Sequence, residues 1–185
     1  MIVGLVGAAG SGKSTVALRL ATHHGFAVNS FAAPLKDAVA AIFGWRRDLL
    51  EGDTPESRAW REQVDTWWAA RLAMPALTPR FALQHIGTEV MRGAFHEDIW
   101  LASLQRRLHG AAGHVVVSDV RMPNEAAAIT AAGGVLIRVD RPGTSAGTHA
   151  TEAGASTMAV DAVLLNDGSL EQLYERLRGM DGVVW

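Results

Sequence analysis

The stretch Gly7-Ala8-Ala9-Gly10-Ser11-Gly12-Lys13-Ser14 follows directly on a short apolar run, residues 2–6. Directly after it, residues 13–24 carry Val16, Ala17, Leu20 and Ala21 at helical spacing. The order is strand, glycine-rich turn, helix, and the turn satisfies G-x-x-x-x-G-K-[ST] in the context that gives the pattern meaning. Such a segment folds one way: a buried strand releases the chain into a loop of inward-turned amides, and the following helix adds the partial positive charge of its N-terminus.

A loop of that kind cradles nucleotide phosphates. Lys13 is expected to reach the β- and γ-phosphates and the Ser14 hydroxyl to ligate Mg²⁺, with Gly10, Ser11, Gly12 and Thr15 completing the ATP-binding set. The alternative is a glycine-rich turn with a chance lysine. The flanking strand and helix argue against it, and so does the scarcity of lysine: 15 of the 17 basic residues are Arg, and only Lys13 and Lys36 are Lys. An ammonium kept where guanidinium is otherwise preferred fits a site that wants a compact charge.

The rest of the chain repeats the alternation. Residues 26–31 read as a second strand, and Pro34 is placed to start a helix to about 43. Residues 44–75 are the least regular, with a Trp-rich helical piece at 58–72. Thr78-Pro79 reads as N-cap and first residue of one helix to about 95, followed by a helix over 98–108. Strands are expected at 114–117, 135–139 and 161–165, and helices at 124–132 and 169–178. Residues 141–156 are polar and small, a lid-like loop. Apolar strands alternating with helices imply a mainly parallel sheet covered on both faces. The expectation is an α/β P-loop NTPase three-layer sandwich, one domain over 1–185 with a helical insertion at about 44–110.

Composition narrows the function classes. A net charge of −2 argues against a nucleic-acid polymer as partner, and the absence of Cys removes thiolate chemistry and disulfides. No apolar run approaches a membrane span, so a cytoplasmic protein is expected. The sequence leaves monomer and homodimer open. The seven His show no metal-ligand spacing, and Trp60, Trp67 and Trp68 read more as core than as base-stacking platforms.

Two further constellations carry chemistry. Val115-Val116-Val117-Ser118-Asp119 resembles a Walker B strand, whose terminal carboxylate, Asp119, would hold the Mg²⁺ shell. Arg121 and Asn124-Glu125 follow at the strand's carboxyl end, where open α/β sheets bind ligands; Asn124 as N-cap and Glu125 as helix N-terminal charge are equally good readings. On the helix after Thr78-Pro79, Arg80, Gln84 and Thr88 form a polar stripe with Arg92 a turn beyond, opposite an apolar stripe of Leu83, Ile86 and Val90. Such a stripe suits a phosphate and a base edge, or is a solvated face. Gly87 in mid-helix suggests close approach of another group. No general base is evident beside the loop. None is needed if the acceptor is a monophosphate, whose second pKa of about 6 leaves its oxygen ionised at neutral pH. Arg141, in the lid-like loop, could close over the transferring phosphoryl group or be an exposed charge.

An ordered set of motifs runs along nearly the whole chain. It comprises the loop through Ser14-Thr15, Phe31-Ala32-Ala33-Pro34-Leu35-Lys36, Leu83-Gln84-His85-Ile86-Gly87-Thr88-Glu89, Asp98-Ile99-Trp100, Ser118-Asp119-Val120-Arg121-Met122-Pro123-Asn124-Glu125-Ala126 and Asn166-Asp167-Gly168. This set resembles the phage-type deoxynucleoside monophosphate kinases. The resemblance implies a nucleoside-monophosphate-kinase-like fold with a helical acceptor-binding insertion, and the reaction ATP + dNMP giving ADP + dNDP with Mg²⁺, in the host cytoplasm if the chain is phage-encoded. It implies Lys13 and Ser14 as the donor-phosphate and Mg²⁺ residues, Asp119 as the Walker B acid, and Lys36, Arg80, Gln84, Glu89, Arg92 and Arg121 toward the acceptor; beside it, the residue pattern adds Thr88 to the acceptor set, and Arg121 and Arg141 are expected as catalytic with Lys13. Ser14 stands where family members often have Asp, and His149-Ala150-Thr151-Glu152 where they have His-x-Ser-Glu. The rivals are a kinase of another phosphorylated acceptor, resembling dephospho-coenzyme A or phosphomevalonate kinases, and a non-catalytic ATP-dependent binding protein.

Overall fold

The structure is a computed structural model and describes residues 1–110, 112–144 and 158–180. The chain divides into two compact units, Met1–Phe31 with Leu104–Trp185, and Ala32–Ser103.

The first unit is built on five parallel strands, β1 (Ile2–Val6), β2 (Ala27–Asn29), β3 (Val115–Val120), β4 (Val135–Asp140) and β5 (Ala162–Leu165), in the order β2-β3-β1-β4-β5. Side-chain alternation divides the apolar residues between the faces. Val3, Leu5, Val116, Ile137, Val139 and Leu164 point one way, into a fully buried cluster with Val16, Ala17 and Leu20 of helix α1 (Lys13–His24) and Leu173 and Leu177 of the C-terminal helix (Leu170–Arg178). Gly4 points the other way, and a Cβ there would come within 2.7 Å of Ile129 on the helix Pro123–Ala131. Helices cover both faces, and the three-layer sandwich expected from the sequence is present.

The second unit is helical: α2 (Ala33–Phe43), α3 (Pro55–Arg61), α4 (Thr66–Arg71), α5 (Pro79–Gln84) and an eleven-residue π-helical segment, His85–Phe95. Helix α6 (Ile99–Leu108) crosses the boundary between the units, and α7 (Pro123–Ala131) and α8 (Leu170–Arg178) belong to the first. Among the described residues no helix is long and apolar enough to cross a membrane.

Three expectations are corrected. The Trp-rich piece at 58–72 is two short helices, because Asp65 interrupts it: its carboxylate accepts from the amide of Trp68 and caps α4. The single helix expected to about 95 changes winding at His85. Its apolar stripe is broken as well, since Val90 is exposed.

Of the tryptophans that the sequence suggested as core, Trp60 and Trp68 are half-buried and Trp67 is 63% exposed, while Trp45 and Trp100 are buried. Phe43 stacks on Trp45 at 4.2 Å and meets Trp68 edge-on, and Trp45 meets Trp60 in the same way. Trp45 Nε1 donates to Asp65 Oδ2 at 2.6 Å and Trp68 Nε1 to the carbonyl of Phe43 at 2.9 Å. The Trp45 indole, and after it the Trp68 amide, hold the Asp65 carboxyl below the usual carboxylate range. A carboxyl depressed in the folded state stabilises above its unfolded pKa and loses that contribution as pH falls through the folded value. Stability should therefore fall on acidification below about pH 4, and Asp65→Ala should remove both cap and indole partner at a cost of about 2 kcal/mol. A urea titration of the two proteins at pH 7 and pH 3 checks both: the gap between them should narrow at pH 3.

Candidate active site

At the carboxyl end of β1 the chain turns through Gly7 and Gly12 with φ of 142° and 109°, values open to glycine at low cost. A side chain would not fit at either. A Cβ at Gly7 would meet the Val139 carbonyl at 2.5 Å, and one at Gly12 would meet Asn166 Nδ2 at the same distance. The loop is thus pressed against the ends of β4 and β5. The Asn166 amide holds it there, donating from Nδ2 to the Ser11 carbonyl at 2.8 Å, while the Asn166 main-chain N–H is tied to the Asp140 carbonyl at 2.7 Å. Gly12 caps α1, whose first turn carries no acidic residue to compete for an anion.

Lys13 Nζ lies over this loop, donating to the carbonyls of Gly7 at 2.8 Å and Ala8 at 2.7 Å. Ser14 is exposed beside it and Thr15 is half-buried. Ser11 is 1% exposed, with its amide bonded to the Ala8 carbonyl. Its Oγ is buried with no hydrogen-bond partner among the described residues.

On the neighbouring strand, β1 and β3 pair Gly4 with Val117 but Val6 with Val120, so β3 holds one extra residue at Ser118-Asp119. A bulge re-aims side chains locally, and here it sits on the strand next to the glycine-rich loop. Asp119 Oδ2 accepts from Ser30 Oγ and Oδ1 from the Phe31 amide, each at 2.8 Å. Arg107 fixes the same corner, donating to Asn29 Oδ1 at 3.0 Å and to the Ser30 carbonyl at 2.7 Å. A carboxylate and a hydroxyl, such as those of Asp119 and Ser14, are hard oxygen donors of the kind Mg²⁺ takes.

Beyond β3, Glu125 is 2% exposed and its Oε2 accepts from the amides of Arg121 at 2.9 Å and Met122 at 3.1 Å. It caps the start of α7 and shapes the turn presenting Arg121, as the reading of Glu125 as a helix N-terminal charge expects. Asn124 is not the N-cap; α7 starts at Pro123, and Asn124 Oδ1 accepts from the Glu125 amide. Arg141 starts a turn closed by Thr144, whose hydroxyl and amide both bond the Arg141 carbonyl. A Cβ at Gly10 would come within 3.9 Å of the Thr144 side chain, so this turn flanks the loop. The remainder of the lid-like segment, with His149-Ala150-Thr151-Glu152, lies outside the described residues.

The donor-side and metal-side candidates, with Arg121 and Arg141, thus gather in the first unit, and Lys36, Arg80, Gln84, Thr88, Glu89 and Arg92 in the second. Lys36 is paired with Glu51, which also pairs with Arg47, which pairs in turn with Asp37. Burial pushes the Glu51 carboxyl up, but Lys36 and Arg47 outweigh it and hold it below its ordinary value. Arg80 bonds Glu62 at 3.1 Å, Glu89 bonds His85 at 2.6 Å, and Arg92 donates to the Glu97 carbonyl at 3.3 Å. Sequence reasoning missed Asn166 and Arg107 as contributors. Asn166 stood in a matching motif, but its contact with Ser11 spans 155 positions and no local pattern encodes it.

A glycine-rich loop and a bulged acidic strand at the carboxyl ends of adjacent parallel strands define the nucleotide-binding end of a P-loop NTPase fold. The profile of the deoxynucleotide monophosphate kinase family matches residues 72–177. A protein of Acanthamoeba polyphaga mimivirus that carries the family's name is 34% identical over 193 residues, covering 96% of this chain and 94% of its own length. The deoxynucleotide monophosphate kinases of Escherichia phage RB69 and Enterobacteria phage T4 are 34% and 30% identical over 118 and 120 residues. Those alignments take in 61% and 62% of this chain but only 44% and 46% of the phage proteins. The chain belongs to the deoxynucleotide monophosphate kinase family.

Asn166→Ala should leave the loop without its side-chain clamp. The expected result is a KM for ATP raised about fivefold, the worth of one hydrogen bond, with the KM for the acceptor unchanged. Initial rates with each substrate varied in turn check it.

Proposed function

We propose that this chain transfers the γ-phosphate of ATP to a deoxynucleoside monophosphate, giving ADP and the diphosphate. The observation that carries the reading is the position of Lys13. Its ammonium is bound to two loop carbonyls, in a loop fixed from behind by Asn166 and Val139. A phosphate oxygen would take the place of those carbonyls and draw the lysine onto the β- and γ-phosphates. Mg²⁺, held by Ser14 and through water by Asp119, would neutralise charge on the transferring group.

The acceptor brings its own ionised oxygen, so the chain's task is alignment and charge neutralisation rather than deprotonation. Arg80 and Arg92 supply guanidinium groups for its phosphate, and Gln84 supplies a donor and an acceptor for a base edge. Lys36 would contribute only in competition with Glu51. Arg121, on the turn shaped by Glu125, and Arg141, on the turn beside Gly10, would face developing charge on the γ-phosphoryl group. Family membership favours a deoxynucleotide over dephospho-coenzyme A or phosphomevalonate.

An assay coupling ADP release to each acceptor tests this. Turnover should appear with at least one of dAMP, dGMP, dCMP and dTMP. Turnover only with dephospho-coenzyme A or phosphomevalonate, or ATP binding without acceptor-dependent ADP release, would overturn it.

A further inference from the structure

The π-helical segment His85–Phe95 is long for its kind, since π winding ordinarily occupies a single turn within an α-helix and gathers at functional sites. Its i→i−5 bonding continues to its end, where the His96 amide bonds the Met91 carbonyl at 2.9 Å. Burial does not explain it: Val90 is 42% and Phe95 69% exposed. Two contacts within the second unit hold it. Trp100 Nε1 donates to the Gly87 carbonyl at 3.0 Å, with both residues buried. Gly87 itself lies so close to α2 that a Cβ there would come within 2.6 Å of Leu35.

The winding changes where the polar residues point. An α-helix turns about 100° per residue, so side chains four apart drift about 40° forward at each step. Bonding from i to i+5 puts about 4.4 residues in a turn, about 82° each, so the same spacing drifts about 33° back. Arg80 to Gln84 is an α step, whereas Gln84 to Thr88 and Thr88 to Arg92 are π steps. The change of winding at His85 reverses the drift. The four side chains fall within about 65° of one another, against about 120° in an unbroken α-helix.

We propose that the π segment is a device for acceptor selection: it brings Arg80, Gln84, Thr88 and Arg92 into one row that reads a deoxynucleoside monophosphate from phosphate to base, and Trp100 is the positioning residue that holds the winding. This rests on the proposed function. Trp100 touches no substrate in this account; its indole N–H occupies a backbone carbonyl and fixes the segment that carries the contacts.

Trp100→Phe removes the donor and keeps an aromatic ring. Its expected effect is a KM for the deoxynucleotide about fivefold higher, with the KM for ATP and kcat little changed, because binding rather than the chemical step is affected. Amide exchange over residues 85–95 should quicken relative to the β-sheet. If the smaller ring destabilises the fold, benzothienylalanine at position 100 removes the N–H with the bicyclic shape intact and should give the same result. An unchanged deoxynucleotide KM in the variant that folds overturns the inference, as does a parallel rise in both KM values, which would mark general loosening. Wild-type protein that turns over no deoxynucleotide would instead overturn the proposed function, and this inference with it.

Discussion

Lys13→Ala lowers kcat by about 10²–10³-fold with every acceptor, as expected for loss of a preorganised cation on the transferring phosphate. Lys13 Nζ is within 2.8 Å of two carbonyls of the loop that is to wrap the phosphates. It is one of two lysines in a chain with 15 Arg, and the other, Lys36, belongs to a separate unit and is paired with Glu51. Lys13→Arg tests shape against charge: the planar fork is larger and less compact than an ammonium, so it should restore little activity. Steady-state rates across the acceptor panel, with circular dichroism to establish folding, give the readout. A rate within a few-fold of wild type would remove the loop from the chemistry.

Glu125→Ala lowers the free energy of unfolding by about 2–3 kcal/mol and impairs turnover as well. The carboxylate is 2% exposed and accepts from the amides of Arg121 and Met122, so truncation takes this acceptor from two donors of a part-buried turn. The same turn sets the direction of Arg121. Glu125→Gln keeps an acceptor oxygen of similar reach and should cost about 1 kcal/mol, with most activity kept. Urea denaturation of the three proteins checks the order. If Ala and Gln are equally mild, the carboxylate does not shape the turn.

Much of the fold was legible because its signals are local. Within the expected strands, residues 2–6, 115–117 and 135–137 carry no polar side chain, which is how strands buried on both sides read. The glycine–lysine loop fixed the polarity of the first strand–helix pair and hence the end of the sheet where ligands bind. The winding of 85–95 was not legible, because Gln84, Thr88 and Arg92 at spacing four make a stripe in an α-helix and in a π-helix alike. What separates them is a carbonyl held by Trp100, thirteen residues away from Gly87. The bulge at Ser118-Asp119 was hidden for a similar reason: the register it breaks is defined by β1, whose Gly4 lies 113 positions from its partner Val117. The break at Asp65 was readable in principle, since Asp before Thr-Trp-Trp is an N-cap pattern, but the aromatic periodicity on both sides obscured it.

The central claim is that the terminal phosphate of ATP passes to a deoxynucleoside monophosphate. Incubating the protein with ATP labelled in its γ-phosphate, Mg²⁺ and each deoxynucleoside monophosphate, then separating the products, tests it most directly. Label is expected in the β-phosphate of a deoxynucleoside diphosphate, dependent on both acceptor and Lys13. Label released only as inorganic phosphate, at a rate indifferent to the acceptor, would contradict it.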